Sequence, residues 1–330
     1  MPVDLSQILF VAMSLVAIVL WIRFLSRGQP FVAPRPRIQS PIGLFDVGIL
    51  FGCWFVSQAN TLSVMVVVMG VPSDALGDLD SQQQIAFIGI SGLMQLIWTG
   101  IGMLIVGFRH GHALRIFGWQ PEHFWKDVKI GAVAFLMVIP VILTIQFILS
   151  QFVEYEHATF DALKSDSGMF AMMMTWFAAV LVAPVTEEIF FRGTLQAWLQ
   201  RQDIIRDPNQ IETISGGWTE HTAKYEKHIE PIPGSANRGD LKTYQPVMVV
   251  SDLKHSDRMM WLPVLVSSFV FAGIHLGQGA APIPLFVFAV ALGYLYRQTG
   301  STMICIVLHL MLNAFSMLLF TLQTLSETPV

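Results

Sequence analysis

Long apolar runs alternate with short polar connections along this chain, and the runs lack the recurrent polar face of a soluble amphipathic helix. A hydrocarbon core about 30 Å thick takes roughly 20 apolar residues of helix to cross. Eight segments approach that length: residues 6–26, 43–70, 85–108, 129–152, 169–200, 259–277, 282–297 and 301–323. The pattern predicts an all-α, polytopic membrane protein of about eight transmembrane helices. Some runs are interrupted. Gly52, Gln58 and Asn60 are candidate breaks in the second, and Pro184, which lacks a backbone donor, predicts a kink in the fifth. Pro282 and Pro284 open the short seventh run, which contains Gly293.

The connections sort by charge. Arg23, Arg27, Arg35 and Arg37 follow the first run, and Arg109, Arg115, Lys126 and Lys129 separate the third from the fourth. Arg201, Arg206, Lys224, Lys227, Arg238, Lys242, Lys254 and Arg258 lie between the fifth and sixth, and Arg297 ends the seventh. The other connections are acidic or neutral, with Asp74, Asp78 and Asp80 in one and Glu154, Glu156, Asp161 and Asp166 around Lys164 in another. By the positive-inside rule every basic connection is cytoplasmic, and eight alternating crossings put both termini outside. The first run follows Met1-Pro2-Val3-Asp4, without positive charge, and is expected to be a retained anchor rather than a cleaved signal. Residues 201–258 are polar and rich in turn signals such as Asp207-Pro208-Asn209, so they are expected to form a cytoplasmic insertion with at most a short hairpin. It interrupts a membrane core over residues 169–323, which follows N-terminal membrane helices over residues 1–168.

Composition agrees. Hydrophobic residues make up 54% of the chain and charged residues 13%, against roughly 25% charged in an average soluble domain. A net charge of −4 without a basic block gives no footprint for nucleic acid. Cys53 and Cys305 are too few for a disulfide framework or a cysteine metal cluster.

Ionisable side chains are costly inside a membrane and are candidates for function there. Glu187, Glu188 and Arg192 lie in the fifth run, His275 in the sixth, and His309 with Asn313 in the eighth. Glu188 and Arg192 are four apart and share a helix face, so they can pair. Glu187 is rotated about 100° away, free to face a cavity. His309 and Asn313 also share a face, with Cys305 one turn earlier. Counted from the nearest basic residue, Glu187, His275, His309 and Asn313 lie roughly 18–25 Å along their helices, at one level. Together they suit peptide hydrolysis. A carboxylate and an imidazole can polarise a water, while a second imidazole and an amide can hold an oxyanion. Alternatively His275, His309 and Glu187 are candidate Zn²⁺ ligands with an open position for water, although no HExxH pair is present. Taken singly, a glutamate pair at a helix end is a solvated terminus and a lone histidine a packing residue. The cluster of Met169 and Met172–Met174 fits plain packing.

Glu187-Glu188-Ile189-Phe190-Phe191-Arg192 matches an EExxxR motif, flanked by Ala183-Pro184 and Gly193. Phe271 to His275 matches FxxxH, and His309 to Asn313 matches HxxxN. Gly293-Tyr294-Leu295-Tyr296 with Thr299-Gly300-Ser301 is similar to the stretch before that last motif. In these features the sequence resembles the type II CAAX prenyl endopeptidase and bacteriocin-processing family (ABI, CPBP) of intramembrane proteases, over about residues 169–320. The resemblance implies a helical fold with a membrane-embedded cavity, a membrane-associated peptide or protein as substrate, and the plasma (inner) membrane of a bacterium as location. It implies that Glu187 and His275 activate water with Glu188 and Arg192 in support, and that His309 and Asn313 stabilise the oxyanion. Both metal-dependent and glutamate mechanisms are argued for the family. The stretch between Arg192 and Phe271 is longer than the family pattern, and many relatives have no prenylated substrate. The competing class is a non-enzymatic scaffold, immunity protein or transporter. No inverted repeat relates the two halves, and the ionisable residues crowd the C-terminal one.

Overall fold

The computed structural model describes residues 5–28, 30–35, 37–38, 40–76, 79–111, 113–153, 168–206, 249–250 and 261–327. Nearly all of them are helical. α1 spans Leu5–Leu25, α2 Leu44–Val67, α3 Ser81–His110, the short α4 Ala113–Ile116 and α5 Phe124–Ser150. α6 runs over residues 169–206 with changes of pitch, followed by α7 at Leu262–Gly273, α8 at Pro282–Thr299 and α9 at Thr302–Glu327.

Each of the eight apolar runs is a helix, but they are not equal. Leu44–Val67, Ser81–His110, Pro121–Ser150, Met169–Arg201 and Thr302–Leu322 are long and apolar enough to cross a membrane, which makes five among the described residues. Phe10–Leu25 and Leu262–Gly273 are shorter, and α8 has 18 residues. Large apolar side chains such as Val67, Phe108, Phe147 and Phe152 point outward. Water penalises such a surface and hydrocarbon accepts it.

Local signals account for the ends. Asp80 caps α3, accepting from Gln83 N at 2.8 Å while its own N–H donates to Gln83 Oε1 at 3.1 Å. Pro282 begins α8, where its missing N–H is no loss, and Gly300 ends it in the left-handed region at φ 64°. The expected break in α2 does not occur. Ser57 Oγ and Thr61 Oγ1 donate to carbonyls of their own helix, and Gln58 donates to Ser57, so these polar groups are satisfied without opening it.

α2 packs on α3, α5 lies between α1 and α9, and α7 packs on α8. α6 touches α3, α7 and α9. One core joins Phe135, Ile139 and Ile142 of α5 to Phe288 and Leu292 of α8 and Ile304 and Leu308 of α9. A second surrounds Phe117, Phe190, Phe191 and Phe271. Gly293 makes the α8 contact possible, because a Cβ there would lie 2.8 Å from Val264 and 3.1 Å from Gln196 Oε1.

The all-α expectation needs one small amendment. Arg37–Ile38 pair antiparallel with Val249–Val250, so the described strand within the expected insertion pairs with the segment after α1. The rest of that insertion, residues 207–248 and 251–258, lies outside the described residues, as does the acidic stretch at 154–167.

Candidate active site

The disturbance expected at Pro184 takes the form of two π-helical turns, Phe177–Val182 and Phe191–Gln196, on either side of Ala183–Phe190. A π turn widens the helix and leaves carbonyls off the regular ladder. Neighbouring helices use them. Asn313 Nδ2 of α9 donates to Ala179 O at 2.8 Å, and Ser267 Oγ of α7 donates to Phe191 O at 3.1 Å. Within α6, Thr194 Oγ1 donates to Ile189 O at 2.7 Å. The glutamates thus sit on a short regular stretch clamped at both ends.

Glu188 and Arg192 form the predicted pair. Arg192 Nη1 donates to Glu188 Oε1 at 3.0 Å, and both side chains are fully buried. Arg192 Nη2 also donates to Ala289 O of α8 at 3.2 Å, and its guanidinium lies over the Phe271 ring at 4.8 Å. Burial of this pair is tolerable because the charges meet directly and further groups share the load.

His309 completes the chain across helices. Its Nδ1 lies 2.8 Å from Glu188 Oε1, while its Nε2 lies 3.9 Å from Glu187 Oε2. A carboxylate can only accept, so this contact puts a proton on Nδ1 and turns Nε2 toward Glu187. Glu187 retains some exposure (18%), whereas His309 is almost enclosed (4%) between the rings of Phe271 and Phe288. Glu188 Oε2 and Arg192 Nε are buried without a hydrogen-bond partner among the described residues.

His275 is placed differently. It lies in the turn after Gly273 rather than in α7, half-buried, with Nδ1 2.8 Å from Phe271 O. Its ring packs at 5.1 Å on Phe271. Phe271 is therefore the common plate against which Arg192, His275 and His309 rest. The structure brings Glu187, Glu188, Arg192 and His309 into one connected group, sets Asn313 one turn away on Ala179, and leaves His275 at the group's edge. The expected sharing of a water by Glu187 and His275 involves no direct contact between the two side chains.

His275, His309 and Glu187 do not converge as three ligands, and among the described residues no cluster of three His, Cys, Asp or Glu is placed to hold a metal ion. Cys305 is buried and turns its thiol to Leu292 O at 3.4 Å.

Two buried polar clusters escaped sequence reasoning. Asp127 accepts from Arg35 and from Ser301 Oγ, the latter at 2.6 Å, and ties the segment after α1 to α5 and to the connection between α8 and α9. Asp46 accepts from Arg109 at 3.0 Å, with His110 Nε2 2.9 Å away, and joins α2 to α3. A lone acid among basic residues, as Asp127 is between Lys126 and Lys129, was the available signal.

The family model described as type II CAAX prenyl endopeptidase Rce1-like matches residues 169–216 and 247–315. No curated protein and no solved structure matches the chain. The EExxxR, FxxxH and HxxxN motifs all fall within the matched residues, so over that C-terminal part this integral membrane chain is similar to the Rce1-like type II CAAX prenyl endopeptidases.

Proposed function

We propose that the protein is an intramembrane endopeptidase that hydrolyses a peptide bond of a membrane-associated protein or peptide, with Glu187 as general base. The linked run Arg192–Glu188–His309, ending 3.9 Å short of Glu187, carries the reading. That gap is longer than a hydrogen bond. Two bonds of about 2.8 Å to its ends would meet at about 90° on one shared water. As the water oxygen bonds to the substrate carbonyl carbon, its proton passes to Glu187 and the carbonyl pair moves onto oxygen. Glu187 then returns the proton to the leaving nitrogen as the C–N bond breaks.

Glu188, held by Arg192, orients His309 in this scheme. The contacts favour His309 over His275 as the partner of Glu187. His309 can donate to the oxyanion only when Nε2 is protonated, and Asn313 only by releasing Ala179 O. His275, in the turn at 274–281, stands at the edge of the group on the same Phe271 ring. No step is routed through a metal. Active protein freed of metal by chelation and checked by elemental analysis is expected to keep its activity. Loss on chelation with recovery on adding Zn²⁺ would overturn the metal-free scheme.

The charge pattern supports eight crossings with both termini outside and residues 201–258 in the cytoplasm, and the family likeness supports a bacterial inner membrane as the location. The direct test uses purified protein against membrane-embedded peptide substrates. Alanine at Glu187 or His309 is expected to lower cleavage by about 10²–10⁴-fold, with unchanged insertion. Full cleavage by Glu187→Ala would end the assignment. An intact cellular role without cleavage would favour a scaffold.

A further inference from the structure

We infer that a groove beside the start of α5 binds an acidic phospholipid, with the headgroup phosphate between Lys126 and Lys129 and an acyl chain along the apolar wall. The groove encloses about 430 Å³ between residues 31–35 and α5, lined by Phe31, Val32, Arg35, Lys126, Lys129 and Val133 among others. None of these belongs to the catalytic group.

Charge selects the ligand's head. Lys126 and Lys129 are three apart, on one face of the first turns of α5, and both are exposed. Neither has an ion-pair partner among the described residues, and the nearby acids are already engaged. Asp127 is fully buried against Arg35 and Ser301, and Glu122 pairs with Arg115 at 3.5 Å. The Arg35–Asp127 pair cancels itself, so two ammonium groups face the groove uncompensated. That complement suits a phosphate.

Depth and the wall select a lipid over a soluble anion. Trp125, 74% exposed, stands beside Lys126, and tryptophan at a span end marks the headgroup level. From Ile130 onward α5 is apolar, and Ile130 and Val133 carry the groove wall toward the hydrocarbon. A free phosphate has no use for that wall; an acyl chain does. Basic pockets between membrane helices at this level are a recurring way of holding anionic headgroups.

The test is native mass spectrometry of the full-length protein released from micelles containing equal phosphatidylglycerol and phosphatidylcholine. Wild type is expected to retain one phosphatidylglycerol with about tenfold preference. The double variant Lys126→Gln/Lys129→Gln should lose that preference, and Lys126→Arg/Lys129→Arg should keep it. Excess inorganic phosphate should not displace the bound lipid. Equal retention by wild type and the glutamine variant would overturn the site. Displacement by phosphate would show a plain anion site and overturn the lipid assignment.

Discussion

Glu187 and Glu188 are neighbours in sequence with different surroundings, and their substitutions are expected to fail in different ways. Glu188 is fully buried between Arg192 and His309. Glu188→Gln would leave the Arg192 charge uncompensated, and breaking such a pair costs about 3–5 kcal/mol. A large fall in the thermal midpoint in detergent is expected, together with lost activity. Glu187 is partly exposed, with its one described contact at 3.9 Å, so Glu187→Gln should remove activity while leaving the midpoint nearly unchanged. The reverse pattern would exchange their roles. The Glu188–Arg192 pair was legible from i,i+4 spacing alone. The choice of Glu188 by His309 was not, because it depends on how α9 lies against α6, which no local spacing encodes. His275 illustrates the same limit: its motif gives its distance from Phe271 in sequence, but not that the helix ends before it.

At the scale of elements, hydropathy sufficed to find the five helices long and apolar enough to cross a membrane, and Pro282 marked the start of α8. It could not show the π turns of α6, since they answer to Asn313 and Ser267 on other helices. Nor could it show which glycines are contacts. At Gly131 a Cβ would lie 2.8 Å from Val307 and 2.9 Å from Ile304 O, so α5 and α9 touch backbone to side chain there. Gly131→Leu is expected to destabilise the protein by about 1–3 kcal/mol through overpacking, read as a lower thermal midpoint. Gly100→Leu, with nothing within 4 Å of its Cβ position, is the control and should stay near wild type. Equal midpoints would show that α5 and α9 do not pack this closely.

For the whole molecule, the outward apolar surface and the sorted charges describe a chain built to sit in lipid, and both were legible from the order of apolar and charged residues along the sequence. The polar segment was legible only as an interruption. Its structural partners, the Arg37–Ile38 pairing and the bond from Arg201 to Ile42 O at 3.2 Å, were not. Joining Arg201 to Arg258 with a short Gly/Ser linker keeps the Arg201 anchor, and the product is expected to insert and fold with altered substrate choice or rate. Failure to insert would make the segment structural. A cysteine placed at Ser215 should resist a membrane-impermeant reagent in intact cells, and ready labelling would invert the topology. The most direct test of the central claim is a comparison of the N- and C-termini of membrane proteins in cells carrying wild type or Glu187→Gln at equal inserted levels. Paired new termini at a membrane-associated cleavage point are expected with wild type and not with the variant; the same termini in both would refute Glu187-dependent proteolysis.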